Sequence, residues 1–233
     1  MTYELHLGDC LEYMKSMPDK SVDAVITDPP YGIGIKANYA ERGRGALAEC
    51  NNFKQIIGDN IPFNPSPFLS YPTVVMFGSD HYYEKLSGGS WHVWDKLDGL
   101  VSDREVGFND NSDCEFIWCN QLGATRLFRH RWMGAMKKSE QQERRIHPTQ
   151  KPVSLMMQII KYFTNPTDTI FDPFMGSGTT GVAAIQLGRN FIGCEIDENY
   201  YEIAEKRIHE ATLQPQLFTI SQKPISETQK ELL

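Results

Sequence analysis

The apolar run Val22-Asp23-Ala24-Val25-Ile26-Thr27 leads directly into Asp28-Pro29-Pro30-Tyr31. A β-branched run of this length, closed by prolines, predicts a buried strand. The strand must stop there, because proline has no N–H for a ladder and forces the residue before it out of helical space. The chain therefore leaves the strand in a stiff, extended turn that presents a carboxylate, proline carbonyls and an aromatic ring together. In an open α/β sheet, ligands bind at the carboxyl ends of strands. Asp28 and the Pro29 carbonyl are two fixed acceptors that suit the two N–H groups of an exocyclic amine, and Tyr31 offers a face for a planar ring. Preorganised polar groups of this kind stabilise developing charge strongly. The same tetrapeptide also serves as a plain strand terminator.

Around this corner the chain alternates strands and helices. Tyr3–Leu7 alternates with period two, and Asp9 can cap a helix carrying Leu11, Met14 and Met17. Residues 32–60 lack periodicity and suggest a mobile loop beside the site. Strand patterns return at Thr73–Phe77, Ser90–Trp94 and Glu115–Trp118, the last two without intervening helices. Later come a helix over Pro152–Thr164, a strand at Thr169–Phe171, a helix over Thr179–Leu187, a strand at Phe191–Cys194 and a helix over Asn199–Leu213, then a polar tail after Gln214. This order predicts a mostly parallel sheet covered on both faces, with an antiparallel part. At 233 residues and 40% apolar content the chain is expected to form a single domain, 1–233, with a real core.

No apolar run reaches bilayer length, so no membrane partner is expected. The first residues lack a basic stretch followed by an apolar block, so no secretory leader is expected. Five cysteines without a CxxC pair suit reduced, cytoplasmic thiols. Cys114, Cys119 and His130 fit no standard zinc spacing, so no metal is expected. Net charge is −7, yet residues 126–151 hold eight positive and two negative residues. Arg126, Arg129, Arg131, Lys137, Lys138, Arg144 and Arg145, with Phe128 and Trp132 among them, form a candidate nucleic-acid surface in an insertion at about 120–146. The alternative for the charges alone is a solvated loop.

A second chemical signal follows the strand at Thr169–Phe171. In Asp172-Pro173-Phe174-Met175-Gly176-Ser177-Gly178-Thr179-Thr180-Gly181, the glycines match GxGxxG at a strand-to-helix turn. Glu195, at the end of the next strand, can accept two ribose hydroxyls. An acid at the head of the turn, Asp172, would repel a pyrophosphate but could pair with an ammonium. A ribose with an ammonium describes S-adenosylmethionine better than a dinucleotide. Upstream, His147-Pro148-Thr149-Gln150-Lys151-Pro152 precedes a helix, and Thr149 and Lys151 could hold a carboxylate there.

Together, DPPY, HPTQKP and FDPFMGSGTT resemble the motifs of the amino-group DNA methyltransferases, which modify adenine N6 or cytosine N4. The catalytic motif precedes the cofactor motif, as in the group called β. The resemblance implies the class I S-adenosylmethionine-dependent methyltransferase fold, a Rossmann-like mixed sheet with circularly permuted motif order. It implies Asp28, Pro29, Pro30 and Tyr31 as catalytic residues, with Tyr31 stacking on a flipped base. It implies a cofactor pocket from Asp9, Thr149, Lys151, Asp172, Phe174, Gly176, Ser177, Gly178, Thr179, Thr180 and Glu195. Cytosine-specific members more often carry Ser at the first position of the tetrapeptide, so Asp28 favours adenine N6. Cytosine N4, or an RNA or protein target, is the alternative. Implied partners are double-stranded DNA, a second copy of the chain and a cognate restriction endonuclease, in a bacterial cytoplasm or one infected by a phage encoding the chain.

Overall fold

The computed structural model describes residues 1–34, 53–100, 112–133, 136–140 and 146–213. Most of the loop expected at 32–60, the candidate DNA contacts Arg144 and Arg145, and the polar tail lie outside these residues.

The elements run β1 (Tyr3–Leu7), α1 (Cys10–Met14), β2 (Ala24–Thr27), β3 (Thr73–Phe77), β4 (Ser90–Asp95), β5 (Cys114–Cys119), β6 (Leu127–Arg129), β7 (Trp132–Met133), β8 (Met136–Lys137), α2 (Val153–Phe163), β9 (Thr169–Asp172), α3 (Thr179–Gln186), β10 (Asn190–Glu195) and α4 (Glu198–Leu213). Short 3-10 turns occur at Ser66–Phe68, Ser79–His81 and Tyr83–Lys85.

Eight strands form one sheet in the order β1-β10-β9-β2-β3-β5-β4-β6. Strands β1, β10, β9, β2 and β3 are mutually parallel, β5 runs against both β3 and β4, and β6 is parallel to β4. This is the mixed sheet expected from the element order. Strands β2 and β3 are buried at every position, which is why they read as continuous apolar runs rather than alternating ones.

Side-chain alternation sorts the core into two layers. Ala24, Ile26, Val75 and Phe77 face one way, onto α2, α3 and α4 through Leu155, Ile159, Ala183 and Ile208. Val25, Val74 and Met76 face the other way, onto Cys10, Phe63 and Phe68. Helix α2 buries Leu155, Met156, Ile159 and Ile160, four positions at helical spacing, and truncating one of them costs about 2–5 kcal/mol.

Three local expectations change. Helix α1 ends at Met14, one turn before Met17, although Asp9 caps it as expected by accepting the Leu11 N–H at 2.7 Å. The stretch expected to be irregular at 120–146 contributes β6 to the sheet edge and the β7–β8 hairpin. Their two- and three-residue lengths leave too few positions for a period to show. Finally, Gly178 and Gly181 serve packing. A Cβ on Gly178 would lie 2.9 Å from that of Ala204, and one on Gly181 would lie 2.5 Å from Ile208 Cδ1, so the glycines let α3 close on α4.

Candidate active site at the sheet's switch point

Neighbours β2 and β9 are parallel, but the chain continues from β2 toward β3 and from β9 toward β10, in opposite directions across the sheet. Their carboxyl ends thus flank a crevice at the point where the order reverses, the usual ligand position in such sheets. A buried hydrogen bond joins the two ends, with Thr27 Oγ1 donating to Asp172 Oδ1 at 2.7 Å.

A cavity of about 320 Å³ opens there, in the range of small-molecule sites. All four residues of Asp28-Pro29-Pro30-Tyr31 line it, as do Phe174, Gly176 and Glu195 from the glycine turn and the next strand, Asp9 from the first turn, and Thr149. Two motifs separated by more than half the chain therefore share one space. Glu195 is oriented by the backbone N–H groups of Gly176 (2.9 Å) and Asp197 (2.8 Å). Burial nevertheless pushes its pKa up.

Five carboxylates line the cavity, from Asp9, Asp28, Asp59, Glu195 and Asp197, and no lysine or arginine does so among the described residues. That lining disfavours a pyrophosphate and favours a cation. A nucleoside carrying a sulfonium and an ammonium fits this donor set; a dinucleotide does not.

Not every expected cofactor residue reaches the cavity. Asp172 is buried and does not line it. Its carboxylate accepts from Thr27 and from the Phe174 N–H at 3.1 Å, and burial raises its pKa to about 6. It shapes the turn instead of facing an ammonium. Ser177, Gly178, Thr179 and Thr180 are likewise set in the turn and the start of α3, away from the lining. Lys151 departs most from expectation. Its ammonium is buried between Asp28 (2.7 Å) and Glu115 (2.9 Å), on the Asp28 side of the site, and is not among the lining groups. The proline-bounded approach to α2 points it inward, so two carboxylates hold it where a ligand carboxylate was expected.

Tyr31 also sits differently from a free stacking platform. Its ring stacks on His81, centroids 4.9 Å apart, and its hydroxyl donates to Asp28. Gly78, at φ 59°, makes room for the ring, since a Cβ there would lie 2.1 Å from it. Burial raises the Asp28 pKa and the Lys151 cation opposes that rise. Burial also disfavours ionised Glu115, yet Lys151 and Lys96 outweigh it and bring its pKa down to about 2.

Four residues of the site were not foreseen. Asp59 is buried and accepts the Gly32 N–H at 3.0 Å, which ties the chain after the tetrapeptide to the segment 55–59 that lines the cavity. His81 backs Tyr31. Glu115 arrives from β5. Asp197 accepts the Asn199 and Tyr200 N–H groups and so caps α4. Only Asp197 had a local signal, an acid just before a helical pattern.

The basic segment is largely self-engaged. Arg129 pairs with Asp95 at 3.5 Å and Lys138 with Asp98 at 2.9 Å. Arg126 donates to the Tyr162 hydroxyl at 2.8 Å, and Lys137 lies over the Trp132 ring. Phe128 and Trp132, expected among the cations as stacking groups, are buried in the core. Phe128 packs on Tyr162 and Phe163 of α2, and Trp132 donates to the Gln150 carbonyl at 3.0 Å. Among the described residues no group of His, Cys, Asp and Glu could hold a metal, and no helix is long and apolar enough to cross a membrane.

Known proteins are similar to this chain. Residues 108–206 match the N6/N4 DNA methylase family. The chain is 25% identical to the type II methyltransferase M.HinfI of Haemophilus influenzae, over 97% of this chain and 74% of that protein. It is also 25% identical to the putative methylase YubD of Escherichia coli, over 86% of this chain and 88% of that protein. The crystal structure of the M1.HpyAVI–SAM complex superposes with a TM-score of 0.53 at 26% identity, over 89% of this chain and 99% of the other. The cytosine-N4-specific PvuII DNA methyltransferase shares the fold, with a TM-score of 0.59 at 18% identity over 91% and 92%. With two motifs meeting at one acid-lined cavity in a class I methyltransferase sheet, the chain is similar to the amino-group DNA methyltransferases, and residues 108–206 carry the match to the DNA methylase family model.

Proposed function

We propose that the protein transfers a methyl group from S-adenosylmethionine to N6 of adenine in double-stranded DNA, in line and without a covalent intermediate. The observation that carries this reading is the shared cavity, with Asp28 and Pro29 on one side and Phe174, Gly176 and Glu195 on the other. Bound there, S-adenosylmethionine supplies a methyl group on a sulfonium. Glu195 accepts the ribose hydroxyls, Phe174 packs on the adenosyl part, and Asp9 and Thr149 bound the pocket. Asp172, Ser177, Gly178, Thr179 and Thr180 hold the turn that presents Gly176. The acidic lining attracts the cationic ligand and offers nothing to the neutral thioether product's missing charge.

The target base must leave the duplex to reach the corner. Asp28 and the Pro29 carbonyl accept hydrogen bonds from its two amino N–H groups, which localises the nitrogen lone pair and aims it at the methyl carbon. The sulfur–methyl bond would break as the nitrogen–methyl bond forms, leaving a neutral thioether, and the nitrogen would then lose one proton to water. Pro30 fixes the turn, and the Tyr31 ring, covered on one side by His81, serves as the stacking face through the side that borders the cavity. An acid at position 28 supports adenine over cytosine. The chain acts as one methyltransferase domain, and residues 120–146 are the proposed DNA-reading insertion, through Arg126, Arg129, Arg131, Lys137, Lys138, Arg144 and Arg145. A second copy of the chain and a restriction endonuclease are the proposed further partners, and the bacterial origin of the relatives supports action in a bacterial cytoplasm.

The test is to incubate the protein with labelled S-adenosylmethionine and mixed-sequence duplex DNA, digest to nucleosides and separate them. Label in N6-methyladenine is the expected result; label in N4-methylcytosine would assign the other base.

A further inference from the structure

Asp28, Tyr31, Glu115 and Lys151 form a closed polar unit at the carboxyl end of β2. Lys151 Nζ lies 2.7 Å from Asp28 Oδ2, 2.9 Å from Glu115 Oε1 and 3.3 Å from the Tyr31 hydroxyl. The Tyr31 hydroxyl reaches Asp28 Oδ1 and, at 2.9 Å, Glu115 Oε1. It carries one proton and can donate to one carboxylate at a time. With the proton directed at Asp28, each oxygen of Asp28 already accepts a hydrogen bond, one from Tyr31 and one from Lys151. With it directed at Glu115, Asp28 Oδ1 is released.

Glu115 is built to receive that hydrogen bond. Its side chain is 13% exposed, and Lys96 Nζ holds Oε2 at 3.0 Å, leaving Oε1 turned toward Lys151 and Tyr31. The other groups near Asp28 offer no such exchange. Tyr82 gives its hydroxyl proton to the Phe77 carbonyl, Asp172 is engaged by Thr27 and Phe174, and His81 stacks on the Tyr31 ring.

We propose that Glu115 is a positioning residue for methyl transfer: it takes over the Tyr31 hydroxyl and shares the Lys151 ammonium, which frees Asp28 Oδ1 to accept the target amine. The exchange moves hydrogen bonds only; Lys151 stays a cation and no covalent bond changes. The inference rests on the role proposed above for Asp28. It also gives Lys151 a task at the amine rather than at the cofactor.

Glu115→Leu removes the acceptor and should lower kcat by about 30-fold, with the Kd for S-adenosylmethionine, measured by calorimetry, within about threefold of wild type. Adding Tyr31→Phe removes the competing hydroxyl and should recover about fivefold or more of that loss, a gain that mere structural damage would not give. Glu115→Gln, which keeps an acceptor oxygen in the same volume, should lose less, and the pair Glu115→Gln and Glu115→Gln/Tyr31→Phe repeats the comparison if the leucine variant does not fold. A double variant no faster than its Glu115 parent, or a Glu115→Leu enzyme with wild-type kcat, would overturn the inference while leaving the proposed reaction standing. Wild-type protein that transfers no methyl group to DNA would overturn both.

Discussion

The cavity at the switch point and the basic segment at 126–138 carry opposite charge, and they handle it in opposite ways. The cavity gathers five carboxylates with no lysine or arginine in its lining among the described residues. Lys151 holds Asp28 from behind at 2.7 Å and Lys54 reaches Asp197 at 3.7 Å, while Asp9 and Glu195 accept backbone N–H groups and keep their charge toward the cavity. The basic segment spends its cations on its own protein: Arg129 on Asp95, Lys138 on Asp98, Arg126 on Tyr162 and Lys137 on Trp132. Charge counted along a sequence is therefore a poor guide to charge offered at a surface. What counts is whether compensating groups from other elements meet it. For the segment, Asp95 and Asp98 come from β4 and the turn after it.

The largest expected effect lies at the acid behind the cavity. Asp172 has its pKa raised from 3.8 to about 6 by burial. A carboxyl raised in this way binds its proton more tightly when folded, so its contribution to stability is full below about pH 4 and is lost as pH rises through 6. Across that window the ligand-free protein should lose about 3 kcal/mol from this group. Asp172→Asn keeps the acceptor oxygen without the charge. Urea unfolding of the variant and the wild type should therefore show the stability difference moving in the variant's favour by that amount between pH 4 and 7. A difference that stays constant with pH would show that Asp172 bears no buried charge.

Glu195→Ala should weaken S-adenosylmethionine binding by about 10- to 100-fold, the scale of hydrogen bonds to a charged acceptor, as read by calorimetry. An unchanged Kd would remove Glu195 from the ligand's contacts. The smallest effect would sharpen the contrast with the basic segment. Asp95→Asn and Asp98→Asn release Arg129 and Lys138, whose own side chains are more than half exposed, so each ion pair is worth little to stability. DNA affinity should then rise by about twofold to tenfold, with a steeper salt dependence, since each added phosphate contact changes the slope by about 0.9. If neither affinity nor slope moves, the segment faces away from DNA.

The contrast also marks what could be read from residue order. The corner and the glycine turn were legible because each is a local solution, a strand that must end or a helix that must start, with its chemistry in consecutive residues. The sheet followed from the same alternation. Glu115 was not legible. It sits within a strand pattern beside Phe116 and Ile117, and only the pairing of β5 with β3 brings it to Tyr31 and Lys151. Lys151 was noticed for its position in HPTQKP, yet its direction depends on those two distant carboxylates. Phe128 and Trp132 read as stacking groups because they lie among arginines, and the short strands β6 and β7 turned them into core. Asp59 lay in a stretch whose glycines and asparagines hid a buried clamp. In each case the deciding partner is far away in sequence.

The central claim is that the Asp28–Pro29 corner holds the nitrogen that receives the methyl group. Wild-type protein and Asp28→Ala should be compared directly for transfer of labelled methyl groups from S-adenosylmethionine to duplex DNA, with cofactor affinity measured on the same samples. The account predicts loss of transfer by about a hundredfold or more while the cofactor Kd stays within a few-fold of wild type. A variant that keeps a tenth of the wild-type rate would contradict it.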